Sequence, residues 1–185
     1  METGRAKTTA GSWTLKNLCD SFTPTASPPE EAYRYDASVA PILLRMMNDP
    51  REQDYWSNIV TTLGIIGDEN AVEPMIEFIE KGKVGQPWNR SKAKESATTS
   101  LGYLINRSGN QRTLDYLIGN MTPRPRPDGD LSKYAVMGLA LSGHPKAAAA
   151  LKSLPKSPGK REALRINQEV ADKGLLGYYR ASRRP

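Results

Sequence analysis

The 185-residue chain has little of what most enzyme sites are built from: one cysteine, Cys19, and one histidine, His144. A single cysteine excludes an internal disulfide and a cysteine-rich metal site. A single imidazole with no serine or cysteine partner in a recognisable motif forms no catalytic dyad, and we expect it to cap a helix or to be exposed. We therefore expect no catalytic residues, no metal site and no cofactor.

Long apolar runs are also missing. No stretch approaches the ~20 apolar residues that a membrane-spanning helix needs, so we expect no membrane span. The first thirty residues contain no apolar run of about seven residues, and no secretory signal is visible. A chain whose signal had been removed would look the same, so the sequence leaves a cytoplasmic and an exported location both open.

What the chain does have is an internal repeat. Segments 63–71 and 139–147 align without a gap at a Leu, a Gly and an Ala, and segment 101–110 aligns with them if its turn holds two extra residues. A period of this length is typical of a solenoid of helical pairs. The anchor residues Leu63, Leu101 and Leu139 are 38 residues apart, Ile59, Ala97 and Ala135 precede them by one turn, and Met75, Leu117 and Leu151 follow the turn.

Apolar periodicity and turn residues divide the chain into an arm, a repeat domain and a tail. Residues 1–30 read as a flexible arm, in which Trp13, Leu15, Leu18 and Phe22 fit either a short helix docked on the first repeat or disorder. The domain spans residues 31–180, with Gly64 and Gly67 ending the first helix of its first pair. We predict pairs at about 54–82, 91–120 and 131–154, flanking helices at 38–48 and 160–179, and a basic tail at 181–185.

One motif points to a family. An apolar helix ending in Leu63-Gly64-Ile65-Ile66-Gly67-Asp68, followed by Ala71-Val72 and a second apolar helix, resembles the HEAT-like repeats of the short bacterial type, including those of the phycobilin lyase group. The resemblance covers about residues 38–155. It implies an all-α fold, a right-handed α-α superhelix of about three to four helical pairs, with the second helix of each pair on the concave side. Such repeats serve enzymes, adaptors and nucleic-acid binders alike.

Charge is divided along the chain. Residues 1–80 hold 6 basic and 13 acidic side chains, a net charge of −7, whereas residues 81–185 hold 20 basic and 7 acidic ones, a net charge of +13. Because a solenoid lays its sequence out along an axis, we expect an acidic N-terminal end and a basic C-terminal end.

Two predicted inter-repeat loops carry the candidate binding residues. One holds Trp88 and Arg90, and the other holds Arg124 and Arg126 between prolines. Successive loops of a solenoid emerge on one edge, so we expect these four residues to be neighbours, joined by Lys92, Lys94 and Lys133. An aromatic side chain beside guanidinium groups is a common recognition surface, although Trp88 also fits a cover over the seam between two pairs.

A row of four glutamates is the second candidate surface. Glu69, Glu73, Glu77 and Glu80 follow helical spacing on one face. They form an acidic binding face, a weak cation site or an ordinary solvated helix face.

The sequence favours a non-enzymatic scaffold that binds another macromolecule, above all a protein, through its concave face and loop edge. One alternative is a nucleic-acid-binding HEAT-like protein, including an enzyme of the DNA glycosylase type, which the basic C-terminal half supports. A lyase or chaperone for a chromophore is a further alternative that only the resemblance implies. The oligomeric state is left open.

Overall fold

The computed structural model describes residues 32–33, 35–81, 88–126 and 129–182, without the side chains of Trp88 and Asn89. The predicted arm, with its alternatives for Trp13 and Phe22, and residues 183–185 of the tail lie outside the described residues. All regular structure in the described part is helical, which confirms the all-α fold. None of the helices described is long and apolar enough to cross a membrane.

Eight α-helices make up the described fold, and short 3₁₀ turns precede the first three of them. The helices are α1 Ala40–Met46, α2 Trp56–Ile66, α3 Val72–Glu80, α4 Trp88–Ser108, α5 Gln111–Asn120, α6 Ser132–Ser142, α7 Pro145–Ser153 and α8 Pro158–Ser182.

The helices form two layers, as helical repeats do. In the first layer α2 packs on α4, α4 on α6 and α6 on α8, and these are the most extensive helix contacts in the described chain. The shorter helices α3, α5 and α7 form the second layer, and α3 packs on α4, α5 on α4 and α6, and α7 on α6 and α8. Each first-layer helix therefore packs mainly on the first-layer helix of the next pair, in the order that the 38-residue period predicts.

The repeated apolar positions form the core between the layers. All nine anchor residues found by the repeat are buried, none with more than 1% of its surface exposed. Burial of this kind, continued from repeat to repeat, is what stabilises a solenoid. The nine are Ile59, Leu63, Met75, Ala97, Leu101, Leu117, Ala135, Leu139 and Leu151.

Small residues let the first-layer helices approach until their backbones touch. A Cβ atom on Gly64 of α2 would lie 2.5 Å from the carbonyl oxygen of Ser100 on α4. A Cβ atom on Gly102 of α4 would lie 2.1 Å from the carbonyl oxygen of Gly138 on α6. Gly64 therefore lies inside α2 and packs on the next repeat, and the prediction that it helps to end the helix was wrong. Gly67 alone provides the end, as the C-cap of α2.

Side chains of the first-layer helices also bond carbonyls near the ends of neighbouring first-layer helices. Asn106 of α4 donates to the carbonyl of Ser142 on the following helix, α6, at 2.9 Å. In the other direction Arg107 of α4 donates to the carbonyl of Ile65 on α2 at 3.1 Å, and Asn167 of α8 donates to that of Leu139 on α6 at 2.9 Å. The last carbonyls of a helix lack partners within it, so these bonds both cap the helices and join the repeats.

A polar cap marks each turn between the paired helices. Asp68, Asn110 and His144 accept the backbone N–H of Asn70, Thr113 and Lys146, respectively. His144 accepts through Nδ1, at 3.2 Å. The capping role predicted for this histidine is thus confirmed.

The charge division persists in space. Arg112 of α5 bonds Glu73 of α3 at 2.8 Å, and Lys146 of α7 bonds Gln111 of α5 at 2.7 Å. The acidic α3 and the basic α7 therefore lie on opposite sides of α5. In the described residues no ion pair joins segment 146–165 to the glutamates of α3.

The close approach of α4 and α6 predicts a sharp sensitivity at Gly102. We expect Gly102→Ala to lower the free energy of unfolding by about 3 kcal/mol or more, because the new methyl group meets backbone that cannot move without separating the helices. The matched control is Gly119→Ala in α5, where a Cβ atom meets nothing within 4 Å. This control should be neutral or raise stability by about 0.5–1 kcal/mol through helix propensity. Urea denaturation measures both, and equal effects would contradict the backbone contact.

Candidate binding surface

The solvent face of the first layer carries a polar groove that crosses three consecutive first-layer helices. The groove has a volume of about 280 Å³, and seven of its nine lining side chains carry hydroxyl groups. We call it the hydroxyl groove. It is lined by Ser57 and Thr61 of α2, Lys92, Glu95, Ser96, Thr99, Ser100 and Tyr103 of α4, and Tyr134 of α6.

Helical periodicity explains why α4 supplies most of this groove. Residues 92, 95, 96, 99 and 103 recur at three- and four-residue spacing and so share one face of the helix. The opposite face, with Ala93, Ala97, Leu101 and Leu104, is fully buried. One face of α4 therefore packs in the core and the opposite face lines the groove, as the helical spacing of its residues requires.

Charged side chains lie within the groove and at its rim. Lys92 Nζ bonds the carboxylate of Glu95 at 3.1 Å. The ammonium of Lys133 lies 4.7 Å from the centroid of the Tyr134 ring, and its contact with that tyrosine raises the pKa of Lys133. Hydroxyls that donate and accept, beside both charge signs and an aromatic face, suit the amide groups of an extended polypeptide.

A tyrosine cluster closes one end of the groove. The hydroxyls of Tyr103 on α4 and Tyr179 on α8 lie 2.8 Å apart, and the ring of Tyr178 packs edge-on against that of Tyr179. The cluster forms because α8 bends at Gly174, whose φ of 70° lies in the left-handed region. Burial raises the pKa of both Tyr103 and Tyr179.

The predicted loop residues have different surroundings in the structure. Trp88 begins α4 rather than lying in a loop, and its side chain is outside what the structure describes. Arg90 lies on the ring of Phe78 at 4.4 Å and on that of Trp56 at 5.2 Å, and burial lowers the pKa of this arginine. Lys94 is 1% exposed and belongs to the core, so its expected place on the edge was wrong.

The two arginines of the second loop differ from each other. Arg124 is exposed. Arg126 forms a two-pronged pair with Glu80 of α3, at 3.2 and 3.1 Å, and its side chain is only 16% exposed. Tyr116 donates a hydrogen bond to the same carboxylate. Burial is the main cause that raises the pKa of Tyr116, and the hydrogen bond to Glu80 raises it further. Arg126 thus joins the second loop to the first pair, whereas Lys92 lines the hydroxyl groove and Lys133 contacts the Tyr134 ring at its rim.

The four glutamates on α3 and in the turn before it also differ from one another in their partners. Glu73 pairs with Arg112 of α5, which lowers the pKa of the carboxyl, and Glu80 pairs with Arg126. Glu77 pairs with Lys81 of its own segment, and Glu69 is exposed. Two of the four acids therefore bridge repeats. No group of three or more His, Cys, Asp and Glu side chains that suits a metal ion occurs in the described ranges.

Comparison with known proteins yields no relationship: no family model, no curated protein and no solved structure matches the chain.

The 38-residue period extends to the exposed positions of the first layer and so could have predicted the hydroxyl groove, which the composition of the loops does not. Ser57, Glu95 and Lys133 are 38 residues apart, as are Asn58, Ser96 and Tyr134. The repeat therefore sets the exposed face of the first layer in the same register as the core. Four of these six positions, Ser57, Glu95, Ser96 and Tyr134, line the hydroxyl groove.

The tyrosine cluster predicts alkaline sensitivity. A folded-state pKa above the unfolded value of about 10 means that the stabilisation is complete below pH about 10 and is lost as the pH rises through the folded value. We expect the thermal midpoint to fall above pH about 10, and to fall less in the double variant Tyr103→Phe/Tyr179→Phe, which keeps both rings. Tyr134→Phe, whose hydroxyl is outside this bond, is the control. Parallel pH profiles for the double variant and the wild type would contradict the assignment.

Arg124 and Arg126 provide a matched pair for the loop. We expect Arg126→Ala to lower the free energy of unfolding by about 1 kcal/mol, because it removes the pair with Glu80. Arg124 lies two residues before Arg126 and its side chain is exposed. Arg124→Ala should therefore change the free energy of unfolding by no more than about 0.5 kcal/mol. Urea denaturation at low salt distinguishes them, and equal losses would show that the Glu80 pair contributes nothing measurable.

Proposed function

We propose that the chain is a HEAT-like repeat scaffold that binds a polypeptide along its first helical layer, rather than along the second-layer face that the resemblance makes concave. The observation that carries the proposal is the hydroxyl groove, which runs over α2, α4 and α6 and so spans three repeats. An extended ligand that crosses several repeats is the kind of partner that stacked helices suit. The HEAT-like assignment is supported by the 38-residue period, the nine buried anchors and the two stacked layers.

The chemistry of the groove favours a peptide over a compact ligand. Its hydroxyls lie on all three helices, and a hydroxyl can both donate and accept, which suits a peptide backbone that presents donors and acceptors. Tyr103 and Tyr134 add apolar ring surface next to these polar groups. The backbone contacts beneath α2, α4 and α6 hold the three walls at fixed spacing, which lowers the ordering cost of binding.

A nucleic acid is the second candidate. Segment 144–161 holds five basic side chains and no acidic one, and they lie on α7, in the turn before α8 and in the first turn of α8. Cations on one exposed end attract phosphates and give binding that weakens steeply with salt.

The test is to pan a phage-displayed library of random linear peptides against the full chain and to repeat the binding with variants. We expect Thr99→Arg, which fills the hydroxyl groove, to weaken the selected peptides by about tenfold or more. Ala149→Arg adds the same side chain to the exposed face of α7 and should have no effect.

A labelled oligonucleotide measured beside the peptides separates the two candidates. Peptides that bind Thr99→Arg as tightly as wild type would remove the groove as the binding surface. Oligonucleotide binding with a linear loss of log affinity against log salt, in the absence of selected peptides, would favour the nucleic-acid reading.

A further inference from the structure

A second groove, apolar rather than polar, lies at the basic end of the molecule. It has a volume of about 460 Å³, between α6 on one side and the turn into α8 on the other. Most of its lining is apolar, and we call it the methionine groove. Its apolar lining includes Met121, Val136, Met137, Leu154, Pro155 and Ala163.

The groove exposes apolar surface that the fold does not cover. Met137 has 39% of its surface exposed, although it is a large apolar residue on a packed helix. Met121, Val136 and Leu154 are partly exposed and pack against the core from the groove floor. Methionine side chains are flexible and polarisable, so they adapt to different apolar partners. Exposed apolar surface that forms a concave groove with a polar rim is typical of a binding site.

The rim of this groove is basic. Lys133 lines the α6 wall, and Lys160 lines the opposite wall, where its ammonium is bonded to the carbonyls of Lys152 and Leu154. Lys156 and Arg161 are exposed and are the sequence neighbours of the lining residues Pro155, Ser157, Lys160 and Glu162.

Little acidic charge opposes this rim. Glu162, the acidic side chain that lines the groove, is paired with Arg165 at 2.6 Å. Neither Lys156 nor Arg161 forms an ion pair with an acidic side chain in the described ranges. The groove thus offers a hydrophobic slot with uncompensated positive charge at its edge.

We propose that the methionine groove binds an acidic, amphipathic peptide segment of a partner protein, whose apolar side chains enter the slot while its carboxylates meet Lys156 and Arg161. This inference rests on the proposed scaffold function and names the chemistry of one partner. Charge complementarity at the rim selects the acidic segment, and the slot selects its apolar anchors.

Two other occupants fit less well. The acidic helix α3 of a second copy offers carboxylates, but its apolar residues Val72, Met75, Ile76, Phe78 and Ile79 are buried, so it brings no anchor. Residues 1–31 of the chain itself hold four acidic and three basic side chains, a nearly balanced set that does not match a basic rim.

The experiment sorts the peptides selected on the full chain by their response to two pairs of variants. Met137→Glu should weaken a class of acidic, apolar peptides by about tenfold or more, whereas Met137→Leu should retain them. Lys156→Glu/Arg161→Glu should weaken the same class, and Lys81→Glu at the acidic end is the charge control. Thermal melts accompany each variant, and an exposed residue such as Met137 should tolerate glutamate without loss of the fold.

Each outcome decides something. Peptides lost with Thr99→Arg but insensitive to Met137→Glu overturn the methionine groove and leave the proposed function standing. Peptides sensitive to Met137→Glu alone support the groove and remove the hydroxyl groove, and no selected peptide at all removes both. A dimer in sedimentation equilibrium that Met137→Glu dissociates would assign the slot to a second copy instead. The proposal would also be overturned if no acidic peptides are selected and the chain instead binds the oligonucleotide. In that case Lys156→Glu/Arg161→Glu would abolish the oligonucleotide binding, whereas Met137→Glu would leave it unchanged.

Discussion

The contact between the backbones of α4 and α6 at Gly102 and Gly138 is the constraint on which the rest of the fold depends. A side chain on Gly102 has no room, and one on Gly138 would meet both Leu117 and the carbonyl of Thr98. Because α2 meets α4 at Gly64 in the same way, the first layer is a stack of helices in direct backbone contact. Such a stack fixes the spacing of the repeats more tightly than side-chain packing alone does.

The helices of the second layer are joined by bonds between long polar side chains, which are weaker than the backbone contacts of the first layer. Its helices α3, α5 and α7 are connected by polar side chains, with Glu73 bonded to Arg112 and Gln111 to Lys146. Exposed ion pairs contribute little each, so these bridges align the layer more than they stabilise it. They also neutralise part of the glutamate row, so the field of the acidic end comes mainly from unpaired groups such as Glu69.

The 38-residue period predicted the architecture because the same positions must be buried in every repeat. Leu63, Leu101 and Leu139 show this directly, each fully buried. Loop contents were less predictable: Arg90 and Arg126 have the same charge, yet one lies on Phe78 and the other pairs with Glu80. Neither partner is a sequence neighbour of its arginine, and the period says nothing about contacts made between helix ends. The kink at Gly174 that brings Tyr179 to Tyr103 was equally hidden, since helical periodicity continues through that residue.

The two grooves have different origins, and this bears on how each one binds. The hydroxyl groove repeats with the core, so the backbone stack that holds α2, α4 and α6 also fixes its walls and preorganises it. The methionine groove lies between α6 and two inter-repeat segments, the one that holds Met121 and Pro123 after α5 and the turn that leads into α8. Its methionine side chains are flexible, whereas the bonds of Lys160 to the carbonyls of Lys152 and Leu154 tie the turn to α8. Under the two proposals, a rigid polar surface set by the repeat and a more adaptable apolar one between repeats bind different segments of one partner.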